Sequence, residues 1–308
     1  MKSLLACIPL AQLLTSVDRP ALACDLCAIY SAREAQALTG AGFFGGVAEQ
    51  FTHFGTLQLE GHEVPGDGEY LNSSISQLFA GYNLTKRFGL ELNLPVIYRW
   101  YGSHTQSGSV SGIGDLSLFA NLIGYQKLSD PFNITWTLLA GVKFPTGDPA
   151  ALGLPDSALP EGIGGHDIAL GSGSYDGLLG TGVALQSHRL YFTANFQYAI
   201  RTEGAFQHQY ANDLTWTGGP GYYLALKDDY TLGLHLIVSG ETKGKDTFAG
   251  VPDPDSAETL VFVGPQIDFT WQSNLSAQLG ADFAVSRDNS GLQLLPDYRV
   301  RAAITFRF

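Results

Sequence analysis

The chain has few charged residues, few cysteines and almost no methionine. Only 15% of its 308 residues are charged, three are Cys and one is Met, whereas soluble domains usually carry about 25% charged residues. Basic residues are the scarcer sign, 17 against 29 acidic ones. The resulting net charge of −12 disfavours a nucleic-acid-binding surface, which needs clustered Lys and Arg. Long segments with helical hydrophobic periodicity are almost lacking, and this disfavours a large soluble α/β enzyme.

Residues 1–23 are predicted to be a Sec-type signal peptide. Lys2 provides the positive start, the apolar run from Leu4 to Leu14 is too short to span a bilayer, and a small-x-small cleavage site ends at Ala23. The alternative is a lipoprotein signal that acylates Cys24, but Ala21 and Leu22 match a lipobox poorly. We therefore expect export from the cytoplasm of a Gram-negative bacterium.

Cys24 and Cys27 remain after cleavage as a C-D-L-C motif. In an oxidising periplasm such a pair forms a small disulfide or a redox motif. The lack of a His after Cys27 excludes c-type haem attachment, and one C-x-x-C does not make a zinc site. We expect a disulfide or a lipid anchor, and no cofactor. Residues 24–40 are expected to be a periplasmic tail or, through the helix-favouring stretch 28–38, a plug inside the next domain.

Residues 41–308 alternate between apolar and polar side chains with period two. Twelve segments of about ten residues show this pattern, which is typical of half-exposed β-strands. They lie near 42–57, 74–84, 88–101, 115–127, 133–144, 177–187, 189–201, 213–226, 229–240, 259–271, 275–287 and 297–308. Short links alternate with long links rich in Gly, Pro, Ser and Asp, and the last link, 288–296, is among the long ones.

This loop asymmetry predicts an all-β fold: a membrane-spanning antiparallel up-and-down β-barrel of about 12 strands in the outer membrane. The short turns would face the periplasm. Aromatic residues near both ends of the outward faces indicate two interfacial girdles, so outer-membrane lipid and lipopolysaccharide are expected partners. The C-terminal Phe308 predicts recognition by the barrel-assembly machinery. A secreted β-sandwich also alternates, but it does not need twelve near-equal strands with this loop pattern.

The strand positions that alternate with the apolar ones are predicted to point into the lumen. Reflection through the loop centres places Asp282 near Arg301 and Asp268 near Gln278 on neighbouring strands. A charge network that merely fills the lumen is slightly favoured over a constriction through which solutes pass. The predicted charged lumen residues are Glu91, Arg99, Lys143, Arg201, Asp268, Asp282, Arg299 and Arg301.

The long loops hold most of the acidic residues, and loop 145–176 carries no Lys or Arg. We expect these loops to be solvated and self-repelling. One His lies in each of four loops, at His62, His104, His166 and His208. Their convergence on a metal is an alternative that we do not adopt, so no metal site is assigned. No catalytic constellation is found, because the stretch 108–112 has the wrong spacing for G-x-S-x-G.

Three short motifs resemble one known family. The segments Ile113–Leu118 (I-G-D-L-S-L), Phe144–Asp148 (F-P-T-G-D) and Leu170–Asp176 (L-G-S-G-S-Y-D) are similar, in order and spacing, to features of a group of outer-membrane transporters. This is the putative MetA-pathway-of-phenol-degradation family, and the similarity spans roughly residues 40–308. The resemblance implies a barrel that passes small, often apolar or aromatic compounds. Cys24 and Cys27 match no feature of the family.

We therefore expect a channel, not an enzyme, for passive passage of a small hydrophobic or aromatic solute. Passage is expected to be passive because we recognise no energy-coupling domain. The sequence leaves two other functions open. One is a structural or scaffold barrel with a filled lumen, and the other is a lipase-like outer-membrane enzyme whose site we do not recognise.

Overall fold

The computed structural model describes residues 41–272 and 274–308, and these residues form one closed barrel. Every neighbouring pair of strands is antiparallel, and the last strand pairs with the first along 15 positions, from Phe44–Arg307 to Leu59–Leu292. This closure leaves no free sheet edge among the twelve barrel strands. We number them β1 (Gly42–Leu59), β2 (Tyr70–Asn83), β3 (Phe88–Gly102), β4 (Ser117–Ser129), β5 (Phe132–Lys143), β6 (Asp176–Ser187), β7 (Leu190–Ile200), β8 (Asp213–Leu226), β9 (Tyr230–Lys243), β10 (Glu258–Trp271), β11 (Leu275–Asn289) and β12 (Leu292–Arg307).

The predicted fold class is thus confirmed, with twelve strands in up-and-down order. Each predicted segment corresponds to one barrel strand. Within the described part of the chain, no helix combines the length and the apolar composition needed to cross a membrane.

The outer face of the barrel is apolar. Side chains that point outward, such as Leu234, Leu236, Ile267 and Leu279, are about half exposed. They alternate along the strands with more buried side chains. The intervening side chains face the interior, where charged groups are buried, as the 1% exposure of Glu91 illustrates. A strand has period two, so this inside-out pattern follows from the sequence alternation.

The last hairpin corrects one prediction. The segment 288–296, predicted to be a long loop, is a tight turn at Ser290–Gly291 followed directly by β12. Gly291 adopts a φ of +62°, which side-chain-bearing residues rarely adopt, and this allows the chain to reverse within two residues. Pairing between β1 and β12 shifts between His53 and Phe54 and between Phe54 and Thr56. This bulge accommodates Pro296, which pairs with Phe54 and has no amide hydrogen to donate.

The other long links lie at the opposite end of the barrel from the short turns. They contain short strands at His62–Glu63, Ser107–Ile113, His208–Gln209, Thr247–Phe248 and Val251–Pro252. The segment Ser107–Ile113 pairs with residues Val96–Gly102 of β3. The barrel wall therefore extends beyond the start of β4 at the end where the long links lie. We call this end, where the long links lie, the loop end.

Candidate functional site: an inward loop and its anchoring network

Residues 144–175 between β5 and β6 form an inward loop. It contains two 3₁₀ helices, Ala150–Gly153 and Asp156–Ala158, and one helical turn, Gly165–Ile168. Its side chains Leu159, Ile163 and Ile168 are buried in one apolar cluster with wall residues of β1, β2 and β12. The wall residues in this cluster are Phe54, Leu57, Leu71 and Leu294.

The expectation that this loop is solvated and self-repelling is therefore wrong. Two of its carboxylates accept backbone N–H groups instead of repelling one another: Asp148 from Ala150 and Asp167 from Gly164, at 2.9 and 2.7 Å. Such local bonds from a side chain to a nearby amide stabilise turns. The loop also buries Leu159, Ile163 and Ile168 against the wall, and each such side chain gains roughly 1.5–3 kcal/mol on burial.

Asp115 fastens both ends of the inward loop. Its carboxylate accepts hydrogen bonds from the amide of Gly147 (2.9 Å) and from both the amide (3.0 Å) and the hydroxyl (2.8 Å) of Ser172. Lys143 Nζ lies 2.8 Å from Asp115 Oδ2. Asp115 is 3% exposed, so these charge-assisted bonds form away from water. The three motifs that carry the family resemblance thus meet at one carboxylate.

A chain of buried charges continues from Lys143 along the wall. Lys143 Nζ also lies 2.8 Å from Asp176 Oδ2, which is 3.1 Å from Arg201 Nη1. Arg201 Nε donates to Asp213 Oδ2 at 2.8 Å. All four side chains are at most 4% exposed. The alternating signs offset the cost of burying each charge, which would be several kcal/mol for an unpaired ion.

Arg99 holds the inward loop from the opposite side. Its Nη1 donates to the carbonyl oxygen of Ala169 at 2.7 Å, and its Nε donates to Ser73 Oγ at 3.2 Å. Leu170, the next loop residue, packs against Ile75 and Ile97 of β2 and β3. The loop end of the barrel is therefore bridged from the wall at β5 and β6 to the wall at β2 and β3.

Deeper charged side chains form ion pairs inside the barrel. Arg301 binds Asp282 through two parallel hydrogen bonds, Nε–Oδ2 at 2.8 Å and Nη2–Oδ1 at 2.9 Å. The expected proximity of these two residues is confirmed, and Asp268 pairs with Gln278 in register, as expected. Arg299 reaches Glu241 at 3.0 Å, although β10 and β11 separate their strands. This contact can form only through the barrel interior.

Asp268 makes a second contact between non-adjacent strands. It accepts the Tyr191 hydroxyl at 2.8 Å and lies 3.4 Å from His235 Nδ1. Glu91 is buried at 1% exposure nearer the turn end of the barrel. The eight predicted charged residues are thus all on the inward parity. The structure joins Lys143 with Arg201 through Asp176, and Asp282 with Arg301.

Sequence reasoning missed most partners of these residues. Asp115, Asp213 and Glu241 lie at the start or end of strands, where alternation gives no indication of direction. Ser172 contacts Asp115 from 57 positions away. The resemblance motifs could have singled out Asp115, Gly147 and Ser172, which they contain. They do not include Asp213 or Glu241.

Two of the four loop histidines come together. His166 and His208 stack with ring centroids 6.3 Å apart. Asp246 completes a group whose potential ligand atoms all lie within 4.8 Å of one another. Burial lowers the pKa of the His208 imidazole, against the opposing effect of Asp246. His104 instead lies beside Asp67 on the exposed surface, at 3.4 Å.

The predictions for the signal peptide, for the tail or plug at 24–40 and for Cys24 and Cys27 lie outside the described residues. They stay predictions.

The barrel is similar to a solved outer-membrane protein. Its structure resembles the COG4313 outer membrane channel from Pseudomonas putida F1 with a TM-score of 0.66, at 16% identity, covering 89% of this chain and 98% of that chain. The translocator domain of autotransporter NalP from Neisseria meningitidis scores 0.45 at 14% identity, covering 91% and 93% of the two chains. No protein-family model and no curated protein matches the sequence. At such identities the first likeness shows a shared barrel fold.

Proposed function

We propose that the protein is an outer-membrane channel for passive passage of small hydrophobic or aromatic molecules. The membrane location is supported by the closed barrel, whose backbone groups are paired between strands, and by its apolar outer face. The fold shared with the COG4313 channel supports the same location.

The observation that carries the channel proposal is the docked inward loop. A barrel that only holds its shape needs no separate segment across its mouth, whereas a channel needs a constriction that selects or gates. This segment combines an apolar patch, Leu159, Ile163 and Ile168, with a polar anchor at Asp115. Of the eight charged inward residues, Arg99, Lys143 and Arg201 belong to the contacts that hold the loop. The other five, Glu91, Asp268, Asp282, Arg299 and Arg301, would line the path beneath it.

The proposed substrate class has two supports. One is the resemblance of the three motifs to a family of transporters for such compounds. The other is the apolar cluster at the mouth, which Val64, Tyr101 and Val110 extend as partly buried side chains. An apolar solute could exchange contacts with this cluster at little cost, whereas an ion would lose hydration there. We do not propose an enzymatic activity.

A structural barrel with a filled lumen is the second candidate. The ion pairs Arg301–Asp282 and Arg299–Glu241 favour it, because they occupy interior space and satisfy each other. The two candidates differ in conductance. Purified protein should form discrete pores in planar bilayers if it is a channel, and none if it is a filled scaffold.

The same experiment tests the N-terminal segment. Deletion of residues 25–38 should raise the conductance if this segment plugs the barrel and leave it unchanged if it is a tail. If neither form conducts, and uptake of small aromatic compounds by cells is unaffected, the channel proposal fails.

A further inference from the structure

A group of three side chains at the loop end is built from three different links. His166 belongs to the inward loop, His208 to the link between β7 and β8, and Asp246 to the link between β9 and β10. Two imidazoles and one carboxylate form a ligand set that suits first-row transition metals. Ca²⁺ and Mg²⁺ prefer sets made of oxygen atoms only.

His208 lacks the hydrogen bonds that a buried imidazole normally makes. Its side chain is 7% exposed, and neither ring nitrogen has a hydrogen-bond partner among the described residues. Nε2 lies 3.6 Å from Asp246 Oδ2. A buried polar group without a hydrogen bond lowers stability by roughly 1–3 kcal/mol. A ligand bound to the His208 ring would remove this penalty.

Asp246 is held rigidly so that one oxygen faces His208. Its backbone amide donates to Ser256 Oγ at 2.9 Å, and its Oδ1 accepts the amide of Ala211 at 2.8 Å. The remaining oxygen, Oδ2, lies 3.0 Å from Lys243 Nζ. The ammonium balances the carboxylate, and a bound cation would share this oxygen with it.

His166 is fixed through its backbone. The hydroxyl of Tyr210 donates to the carbonyl oxygen of His166 at 3.1 Å, and the His208 ring packs on the ring of Tyr210 at 4.7 Å. A tetrahedral Zn²⁺ with bonds of roughly 2.0–2.2 Å holds its ligand atoms about 3.4 Å apart. The distance of 3.6 Å between His208 Nε2 and Asp246 Oδ2 is close to this spacing. The ligand atoms of all three residues lie within 4.8 Å of one another, so the side chains need to move only slightly.

We propose that His166, His208 and Asp246 bind a divalent transition-metal ion that joins the inward loop to two other loops. Three protein ligands leave a fourth position for water. This proposal does not depend on the channel function, because binding can be measured on the isolated barrel.

The test is Zn²⁺ titration by calorimetry on tag-free, chelator-treated protein in detergent. The wild type should bind one equivalent, and Co²⁺ should give the visible absorption of a tetrahedral site. His208→Ala, His166→Ala and Asp246→Asn should each weaken Zn²⁺ binding at least about tenfold, since even outer-shell changes cost 10–100-fold. Mg²⁺ should not bind.

His104→Ala is the matched control, because it removes an exposed loop imidazole and should leave binding unchanged. Heat-modifiable gel mobility would verify that each variant folds, and His208→Gln replaces His208→Ala if the latter does not. The proposal is overturned if the wild type does not bind Zn²⁺, or if the folded variants bind it as the wild type does.

Discussion

Removal of the Asp115 carboxylate should release the inward loop. In Asp115→Ala, the amides of Gly147 and Ser172 lose their acceptor, and Lys143 keeps only Asp176 as its carboxylate partner in this network. Breaking a buried ion pair by removing one partner costs about 3–5 kcal/mol. Every 1.4 kcal/mol is a factor of ten, so the ratio of docked to released loop should fall by about two to four orders of magnitude.

The assay is single-channel recording in planar bilayers. Asp115→Ala should show larger or more frequent openings than the wild type, because the constriction at the mouth is released. Asp148→Ala is the control: it also removes one carboxylate, but loses only one exposed hydrogen bond, from the amide of Ala150. Its cost should be about 1 kcal/mol. Equal traces for Asp115→Ala, Asp148→Ala and wild type would refute the anchoring role of Asp115.

Three other changes test separate parts of the account. Asp282→Lys places a cation against Arg301 and should abolish heat-modifiable gel mobility, whereas Asp253→Lys in a loop should not; equal effects would contradict the inward assignment. Ile168→Ala should cost about 2–5 kcal/mol of loop docking and increase proteolysis of the inward loop, and unchanged cleavage would count against its burial. Leu279→Arg on the outer face should lower the stability of the barrel in lipid by about 2–4 kcal/mol, measured by urea titration. Leu154→Arg in the loop is the control and should have no effect. If Leu279→Arg also has no effect, the wall does not face lipid.

The barrel could be predicted because each strand position has one of two environments. Lipid-facing apolar and inward polar side chains alternate along β12, and this pattern indicates both the strand and the direction of Arg299 and Arg301. Reflection through the centre of the predicted link 288–296 placed Asp282 near Arg301. The backbone register pairs Asp282 with Arg299, two residues away, and the Arg301 side chain reaches Asp282. The start of β12 was missed because Leu294 and Leu295 are adjacent leucines before Pro296. Both are buried, Leu294 against the inward loop and bulged β1.

The site was less predictable because loops have no period. The inward loop was expected to be solvated because of its acidic residues. Two of its carboxylates instead accept backbone amides, while Ile163 and Ile168 pack on the wall. The convergence of His166 with His208 depends on how three links fold over one mouth. Hydrophobic patterning does not encode such contacts between distant loops.

Passive passage of small apolar solutes through the barrel is tested most directly by uptake into intact cells. Cells with and without the protein would be given a radiolabelled monoaromatic hydrocarbon, and initial uptake would be measured with energy metabolism blocked. Passive passage through the barrel predicts a faster initial uptake rate with the protein, and a further increase with Asp115→Ala. Identical rates in all three strains, with the barrel verified in the outer membrane, would contradict it.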